Sequence, residues 1–433
     1  NGKIVLLSST VISPSTEKII NSFSKKYNNF RHIQMDSISS HGALEANLET
    51  FGVRALPNYH FDKADVIVSF GADFVGNWGS PNNEKDYSKS RNPKHGYMSK
   101  HYQIESTLTL TGSNADERIQ IKPSEQAGLL SNLYNALNGS KPDNRISKIV
   151  SSLKKAKSSI VVCNSNKKEV QLLVNSINEK LGNYNNTIDM NNPSFLRKGN
   201  DNEVKQLLSE MNEGKVQALI TYNTNPSYTL SNAKDFNKGL EKVNLKISTA
   251  LSMDETSSNM DYVCPDSHNL ESWGDANPYT GVYTLIQPTI RPLFDTRQAQ
   301  VSLMKWSGLG DNYYEYVKNY WKENILGSTS WNKALHDGIQ YVNTSEKSLL
   351  FSASIKKPAE VLKEISSNEI DLVLYVKHGM GDGQFSNNPW LQELPDPISK
   401  ATWDNYLTVS PRFAKELGLS NEYVSNGALN GDV

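Results

Sequence analysis

The sequence predicts an α/β fold built on two parallel sheets, each covered by helices, followed by the start of a barrel-like domain. Three observations predict it. Short continuous apolar runs recur, bounded by turn-forming residues, as strands buried on both faces require. Between them lie amphipathic stretches long enough for helices. Past Ile370 the pattern changes to brief apolar segments punctuated by Gly, Pro and Asn. At 433 residues the chain exceeds what one hydrophobic core organises, and several domains are expected.

Ile4-Val5-Leu6-Leu7 reads as the first strand, Ser8-Ser9-Thr10 as a polar turn, and Ser15 to Tyr27 as a helix opened by Pro14. Ala64 to Phe70 gives a second buried strand ending at Gly71, and Ser159 to Cys163 a third. The helix around Glu203–Met211, the strand Gln217–Tyr222 and the strand Leu245–Ser248 repeat the alternation. The Trp-, Tyr-, Lys- and Asn-rich stretch 312–345 reads as helices, and Leu372–Val376 as the first strand of the last domain.

Lys and Arg total 45 against 46 Asp and Glu, so no net field selects nucleic acid or an anionic membrane as partner. No apolar run reaches the roughly 18 residues of a membrane span, and no charged and apolar leader follows Asn1. Asn430-Gly431-Asp432-Val433 reads as a turn entering a strand, which makes a piece of a longer chain the expectation. The two cysteines, Cys163 and Cys264, fit neither a disulfide framework nor a zinc site and read as small packed hydrophobes. An iron–sulfur cubane needs about four thiolates, so this stretch holds none by itself.

In open α/β sheets ligands bind beyond the carboxyl ends of strands, which directs attention to the loops there. The loop Gly71-Ala72-Asp73-Phe74-Val75-Gly76-Asn77-Trp78 has small residues that let a backbone approach a phosphate; a plain tight turn is the competing reading. Asn223-Thr224-Asn225-Pro226 takes the equivalent place after another strand, as amide donor or as structural turn. Asp254-Glu255 and the carboxylates beside His268 suit acid–base work or, more simply, capping and turns. No histidine stands in a metal-ligand pattern. Gly381 to Leu391 reads as a binding lip or a loop pinned by Trp390.

Taken in order, these blocks resemble the molybdopterin oxidoreductases. Ala64–Trp78 followed by Arg118–Gln126 is similar to that superfamily's strand, nucleotide loop and I-x-P-G-T-D motif. Asp254-Glu255-Thr256, Tyr262–Pro265 and Glu271–Gly281 resemble its E-T-A, A-D-V-V-L-P and E-x-x-G-T signatures. More narrowly, Met98–Ser106, Leu110–Asp116, Gln287–Arg297, Asn387–Pro397 and Thr402–Asn405 resemble the B subunit of bacterial alternative complex III, a quinol-oxidising respiratory complex. The resemblance spans most of the chain. It implies one α/β domain in two parts (1–60 and 166–310), a second Rossmann-like α/β domain (61–165), a helical connector (311–365) and the truncated start of a C-terminal β-barrel-like domain (366–433).

Departures from the pattern are as informative. Where catalytic relatives place a Cys, selenocysteine or Ser metal ligand, this chain has Ser39-Ser40-His41-Gly42, so Ser40 stands as a vestigial ligand position. The expected D-P-R is replaced by Glu105-Ser106-Thr107 and G-T-D by Ser124-Glu125-Gln126, where a carboxylate would repel pyrophosphate. Gly71, Asp73, Asn77 and Asn225 are then vestigial pterin-nucleotide loops. The implied function is a non-catalytic, cofactor-free scaffold of the iron–sulfur subunit, with clusters in a C-terminal half outside this sequence. The implied partners are multihaem cytochrome c subunits, integral membrane quinol-binding subunits and a terminal oxidase, with the chain peripheral to the periplasmic side of the bacterial inner membrane. The alternatives are an active molybdenum or tungsten bis-pterin oxidoreductase using Ser40, and a free nucleotide-binding protein using Gly71.

Overall fold

The computed structural model describes residues 2–96, 98–344, 349–352 and 370–419, and the backbone of 421–425 and 428–431. The chain divides into two compact units, residues 1–374 and 375–433.

Among its described residues the first unit carries fourteen strands: β1 (Lys3–Ser8), β2 (Phe30–Gln34), β3 (Leu56–Tyr59), β4 (Val66–Phe70), β5 (Lys100–Glu105), β6 (Glu117–Gln120), β7 (Ser159–Cys163), β8 (Ile188–Ser194), β9 (Val216–Tyr222), β10 (Leu245–Ser248), β11 (Tyr262–Val263), β12 (Gly274–Tyr279), β13 (Val282–Ile286) and β14 (Ile339–Tyr341). They form a parallel sheet in the order β11-β10-β9-β1-β2, a parallel sheet in the order β6-β5-β4-β7, and an antiparallel sheet in the order β14-β13-β12-β8-β3. The α/β class and the two parallel sheets are those the sequence predicts.

The central strands β1, β4 and β7 are largely apolar because both their faces are covered. Val5, Leu6 and Leu7 of β1 are buried, as is every residue of β4 and β7. The helix after β1, Pro14–Lys26, starts where Ser13 accepts a hydrogen bond from the Thr16 N–H and Pro14 presets φ. Its Ile19, Ile20 and Phe23 pack against Leu6 and Ile220 of the sheet, and Lys25 and Lys26 sit in its last turn, where cations are favoured. The helix Asp201–Asn212 is capped in the same way by Asn200 and covers the opposite face with Val204, Leu207 and Met211.

The second parallel sheet, residues 66–163, is inserted into the first at one place. β3 leads into it, β8 leads out, and the two pair antiparallel with Tyr59 opposite Ile188. The helices Tyr313–Asn324 and Trp331–Asp337 place Trp321 and Trp331 in the core beneath the first sheet. Buried Asp275 of β12 ties these parts together. Its Oδ1 accepts from the Ser13 and Ser15 hydroxyls and its Oδ2 from Trp321 Nε1 at 2.9 Å. Burial pushes this carboxyl above the ordinary range, opposed by those hydrogen bonds.

Three expectations are corrected. The antiparallel sheet is additional to the two parallel ones. Its strands β3 (LPNY) and β8 (IDMNNPS) contain Pro and Asn, residues that read as turns in isolation. Leu372–Val376 is not a strand: no ladder forms on it among the described residues, and Leu374 is 87% exposed. The described residues of the second unit form the short helices Pro389–Glu393 and Pro411–Glu416 and the hairpin of β15 (Asn421–Ser425) and β16 (Ala428–Gly431). Trp390 pins no loop; it is 82% exposed, and the turn before it is held by local backbone bonds such as Ser386 N–H to Gly383 O.

Replacing Asp275 by Ala would leave the Trp321 indole N–H and two hydroxyls without their acceptor. The expected loss is about 3 kcal/mol of unfolding free energy. Urea denaturation followed by tryptophan fluorescence measures it, and Asp275→Asn, which keeps one acceptor oxygen, should lose less.

Candidate functional site

In each parallel sheet the chain reverses direction across the sheet at one point, between β1 and β9 in the first and between β4 and β7 in the second. Those crevices, at the strands' carboxyl ends, are where such folds bind ligands.

In the second sheet Phe70 pairs with Cys163, which puts Gly71 beside Asn164. Gly71 adopts φ +69°, and a Cβ on it would lie 2.8 Å from the Asn164 amide, so glycine is required there. The side-chain amide of Gln126 spans this crevice. Its Nε2 donates to Phe70 O at 2.8 Å, to Asn164 Oδ1 at 3.0 Å and approaches Cys163 Sγ at 3.2 Å. Asp73 turns inward, with Oδ1 accepting from Thr111 N–H at 2.9 Å, while Asn77 is exposed further along the loop. Glu105, whose side chain is only 2% exposed, accepts from Thr109 Oγ1, Gln103 Nε2 and Arg118 Nε. Glu125 caps the Lys122 N–H and pairs with Arg145, which hold its carboxyl below the usual range. Its charge is thus already compensated, and the closure of this crevice rests on Gln126.

In the first sheet Asn223, at φ +50°, donates from Nδ2 to Ser9 Oγ at 3.0 Å and bridges β9 to β1. The nearby helix Ala299–Ser307 begins on Asp266, whose Oδ1 accepts from the N–H groups of both Ala299 and Ser267 at 2.8 Å. The helix end that would favour a phosphate already meets a carboxylate. Burial pushes Asp266 up to about 6, opposed by those two hydrogen bonds. Asn225 serves as a structural turn: Nδ2 donates to Glu255, and Oδ1 accepts from the Thr256 N–H and hydroxyl.

The two carboxyl edges meet around Ser40. Ser39 Oγ bonds both oxygens of Asp201 at 2.8 Å, and Asn166, from the loop after β7, accepts from the Gly42 N–H and donates to Asp201. Ser40 begins the helix His41–Phe51 without a side-chain capping bond. Beside it Arg54 clamps Glu45 and the carbonyls of Lys198 and Gly199. Asp36 accepts from Thr10 and from the Gly199 N–H.

The remaining candidates are structural. Asp254 accepts from the Ser257 N–H, and His268 and Glu271 cap each other's turn. Cys163 is buried, with its thiol pushed up to about 12, but Cys264 is only partly buried, contrary to expectation. Among the described residues, His60, Asp62 and Asp86 lie close enough to share a cation, and Lys89 already supplies one, 2.8 Å from Asp86 and 3.4 Å from Asp62. A surface depression of about 310 Å³ lined by Lys205, Ser209, Asn212 and Asp235 touches none of the crevice residues. Sequence reasoning located Gly71, Asp73 and Asn225 correctly in loops after strands, and missed the roles of Gln126, Asn166, Asp201 and Asp266. Only Gln126 had a signal, its place in the altered G-T-D position.

No family model matches the chain. Over 96 residues, 21% of this chain and 14% of the relative's length, it is 36% identical to a menaquinone reductase, molybdopterin-binding-like subunit, from Nitratidesulfovibrio vulgaris. Its fold is similar to acetylene hydratase from Pelobacter acetylenicus, with a TM-score of 0.61 at 14% identity over 78% of this chain and 60% of that one. It is also similar to a chain of the formyltransferase/hydrolase complex of Methylorubrum extorquens, with a TM-score of 0.51 at 11% identity over 73% of this chain and 92% of that one. The chain therefore shares the α/β fold of acetylene hydratase.

Two measurements check this geometry. Because the folded-state pKa of Asp266 is raised, its stabilising contribution is complete at acid pH, below its unfolded value, and disappears as pH rises through about 6. Between about pH 4 and pH 7, unfolding free energy should therefore move by about 2 kcal/mol in favour of Asp266→Asn relative to wild type. Gly42→Ala would set a methyl group 2.4 Å from the Asn166 carbonyl oxygen. A loss of about 2–3 kcal/mol in denaturant unfolding is expected, since backbone on both sides must shift.

Proposed function

We propose that this chain is a non-catalytic, cofactor-free molybdopterin-like scaffold in the iron–sulfur subunit of a quinol-oxidising respiratory complex of the alternative complex III type. The observation that carries the reading is the Gln126 amide in the β4–β7 crevice, hydrogen bonded on both sides. A pterin dinucleotide does not fit residues so arranged. Its phosphates would have to displace Gln126 in one sheet and meet the Asp266 carboxylate at the helix end in the other. Ser40, the vestigial ligand position, lies where Asn166, Ser39 and Asp201 knit the two edges together. Gly71, Asp73, Asn77 and Asn225 then belong to nucleotide loops that now serve as turns.

The similarity to a menaquinone reductase subunit supports a place in a quinone-linked assembly. No helix among the described residues is long and apolar enough to cross a membrane. In this reading attachment to the periplasmic face of a bacterial inner membrane is through integral quinol-binding subunits. Multihaem cytochromes and a terminal oxidase complete the electron path, and iron–sulfur clusters sit in a cysteine-bearing part of the same subunit. The scaffold's work is to hold that part in register, so that distances between redox centres stay fixed.

Metal analysis and pterin fluorescence of the purified chain test this directly. Molybdenum, tungsten and oxidised pterin should each fall far below one per chain, and Ser40→Ala should leave quinol oxidation by the assembled complex within twofold of wild type. Stoichiometric metal lost on Ser40→Ala would instead establish a working oxidoreductase, and a guanine-nucleotide-dependent rise in melting temperature would point to a nucleotide-binding protein.

A further inference from the structure

The loop after β13 crosses beside the carboxyl end of β11, and it is held firmly while presenting apolar side chains to water. Its backbone is pinned by Thr289 N–H and Ile290 N–H to Leu270 O at 2.7 and 3.1 Å, by Leu293 N–H to Glu271 Oε1 at 3.0 Å, and by Arg297 N–H to Pro265 O at 3.2 Å. Pro288 and Pro292 fix two further φ angles. Yet Leu293 is 71% and Phe294 77% exposed, with Ile290 and Leu270 also exposed alongside. A rigid backbone carrying a solvent-facing Leu–Phe pair has already lost the entropy that docking usually costs. The side chains of Arg291 and Arg297 flank the pair, both exposed and making no hydrogen bond or ion pair among the described residues.

Phenylalanine and arginine are the types that concentrate at the cores of protein interfaces. The charge arrangement selects among occupants. A second copy placed about a two-fold axis at Phe294 would bring four guanidiniums together against two Asp295 carboxylates, an arrangement that repels. An anionic bilayer is held by clusters of roughly four to eight basic residues, more than this loop offers.

We propose that the segment Ile290–Arg297 is a docking tip whose Leu293 and Phe294 enter an apolar, carboxylate-rimmed pocket on a different protein subunit. The inference rests on the scaffold reading above, and names the surface by which that scaffold is held.

The test uses the assembled complex from native membranes, with Phe294 replaced by the photo-cross-linker p-benzoylphenylalanine. Irradiation and peptide mass spectrometry should yield one dominant adduct, to a peptide of another subunit that carries Asp or Glu near the attachment point. The variant Leu293→Asp with Phe294→Asp should reduce recovery of this chain in the complex at least tenfold on native electrophoresis. The purified variant should melt within about 2 °C of wild type, since both side chains are exposed. Charge reversal at Arg291 and Arg297 should weaken retention several-fold, with a salt dependence that follows. An adduct to a second copy, to lipid or to the chain's own residues overturns the proposal, as does full retention of the double aspartate variant. Bound pterin or metal would defeat the scaffold reading without altering the cross-link. Failure of the cross-link in a metal-free chain would defeat the docking tip alone.

Discussion

The backbone and side-chain groups at the carboxyl edge of a parallel sheet have to be hydrogen bonded, whether to a ligand, to water or to the protein itself. The rest of this structure follows from the third solution. At the end of β4, Phe70 O accepts from the Asn164 N–H and from Gln126, which uses both lone pairs. At the end of β9, the Asn225 amide is committed on both of its ends. Between the sheets, Asn166 and Asp201 engage the Gly42 N–H and the Ser39 hydroxyl, so protein groups meet the start of the helix behind Ser40.

The same economy of polar groups extends inward along β5. His101, Gln103 and Glu105 alternate on one face of the strand, all buried, while Tyr102 and Ile104 face the apolar core. Tyr87 OH lies 3.0 Å from His101 Nδ1, Gln103 Nε2 donates to Glu105, and Arg118 closes the row. Burial lowers the His101 pKa to about 4, so the imidazole is neutral across the physiological range and its bonds persist there. A satisfied polar row of this kind fixes the register of β5 against its neighbours, because a slip by one residue would bury the row among Phe70, Leu129 and Leu133.

Much of the fold was legible in sequence for a physical reason. β1, β4, β7 and β9 are largely covered on both faces and therefore appear as mostly apolar runs, and Ser13-Pro14 announces a helix start locally. What was not legible depends on partners distant in sequence. β8 is a strand because β3 and β12 pair with it, although its Asn-Asn-Pro favours a turn in isolation. Leu372–Val376 shows the converse, a segment of strand-like composition that forms no strand among the described residues. At the candidate site the loops were legible and their roles were not. Glu125 looked like the group that would repel a phosphate, and its charge is absorbed by Arg145. The neighbouring Gln126 does the closing, through a reach across β4 and β7 that only their register reveals.

Self-closure also explains why a single substitution does not open these edges. Removing the Gln126 amide would leave a lone pair of Phe70 O and the Asn164 carbonyl to water, and at a half-buried position each costs up to about 1–3 kcal/mol. Removing Asp266 frees two N–H donors, but Asn223 still bridges β9 to Ser9 and Asn166 still joins the sheets. Opening the cleft therefore requires several losses at once, each paid in stability before any phosphate could repay it. The closed state is the local minimum, and that rigidity is what the proposed scaffold role needs.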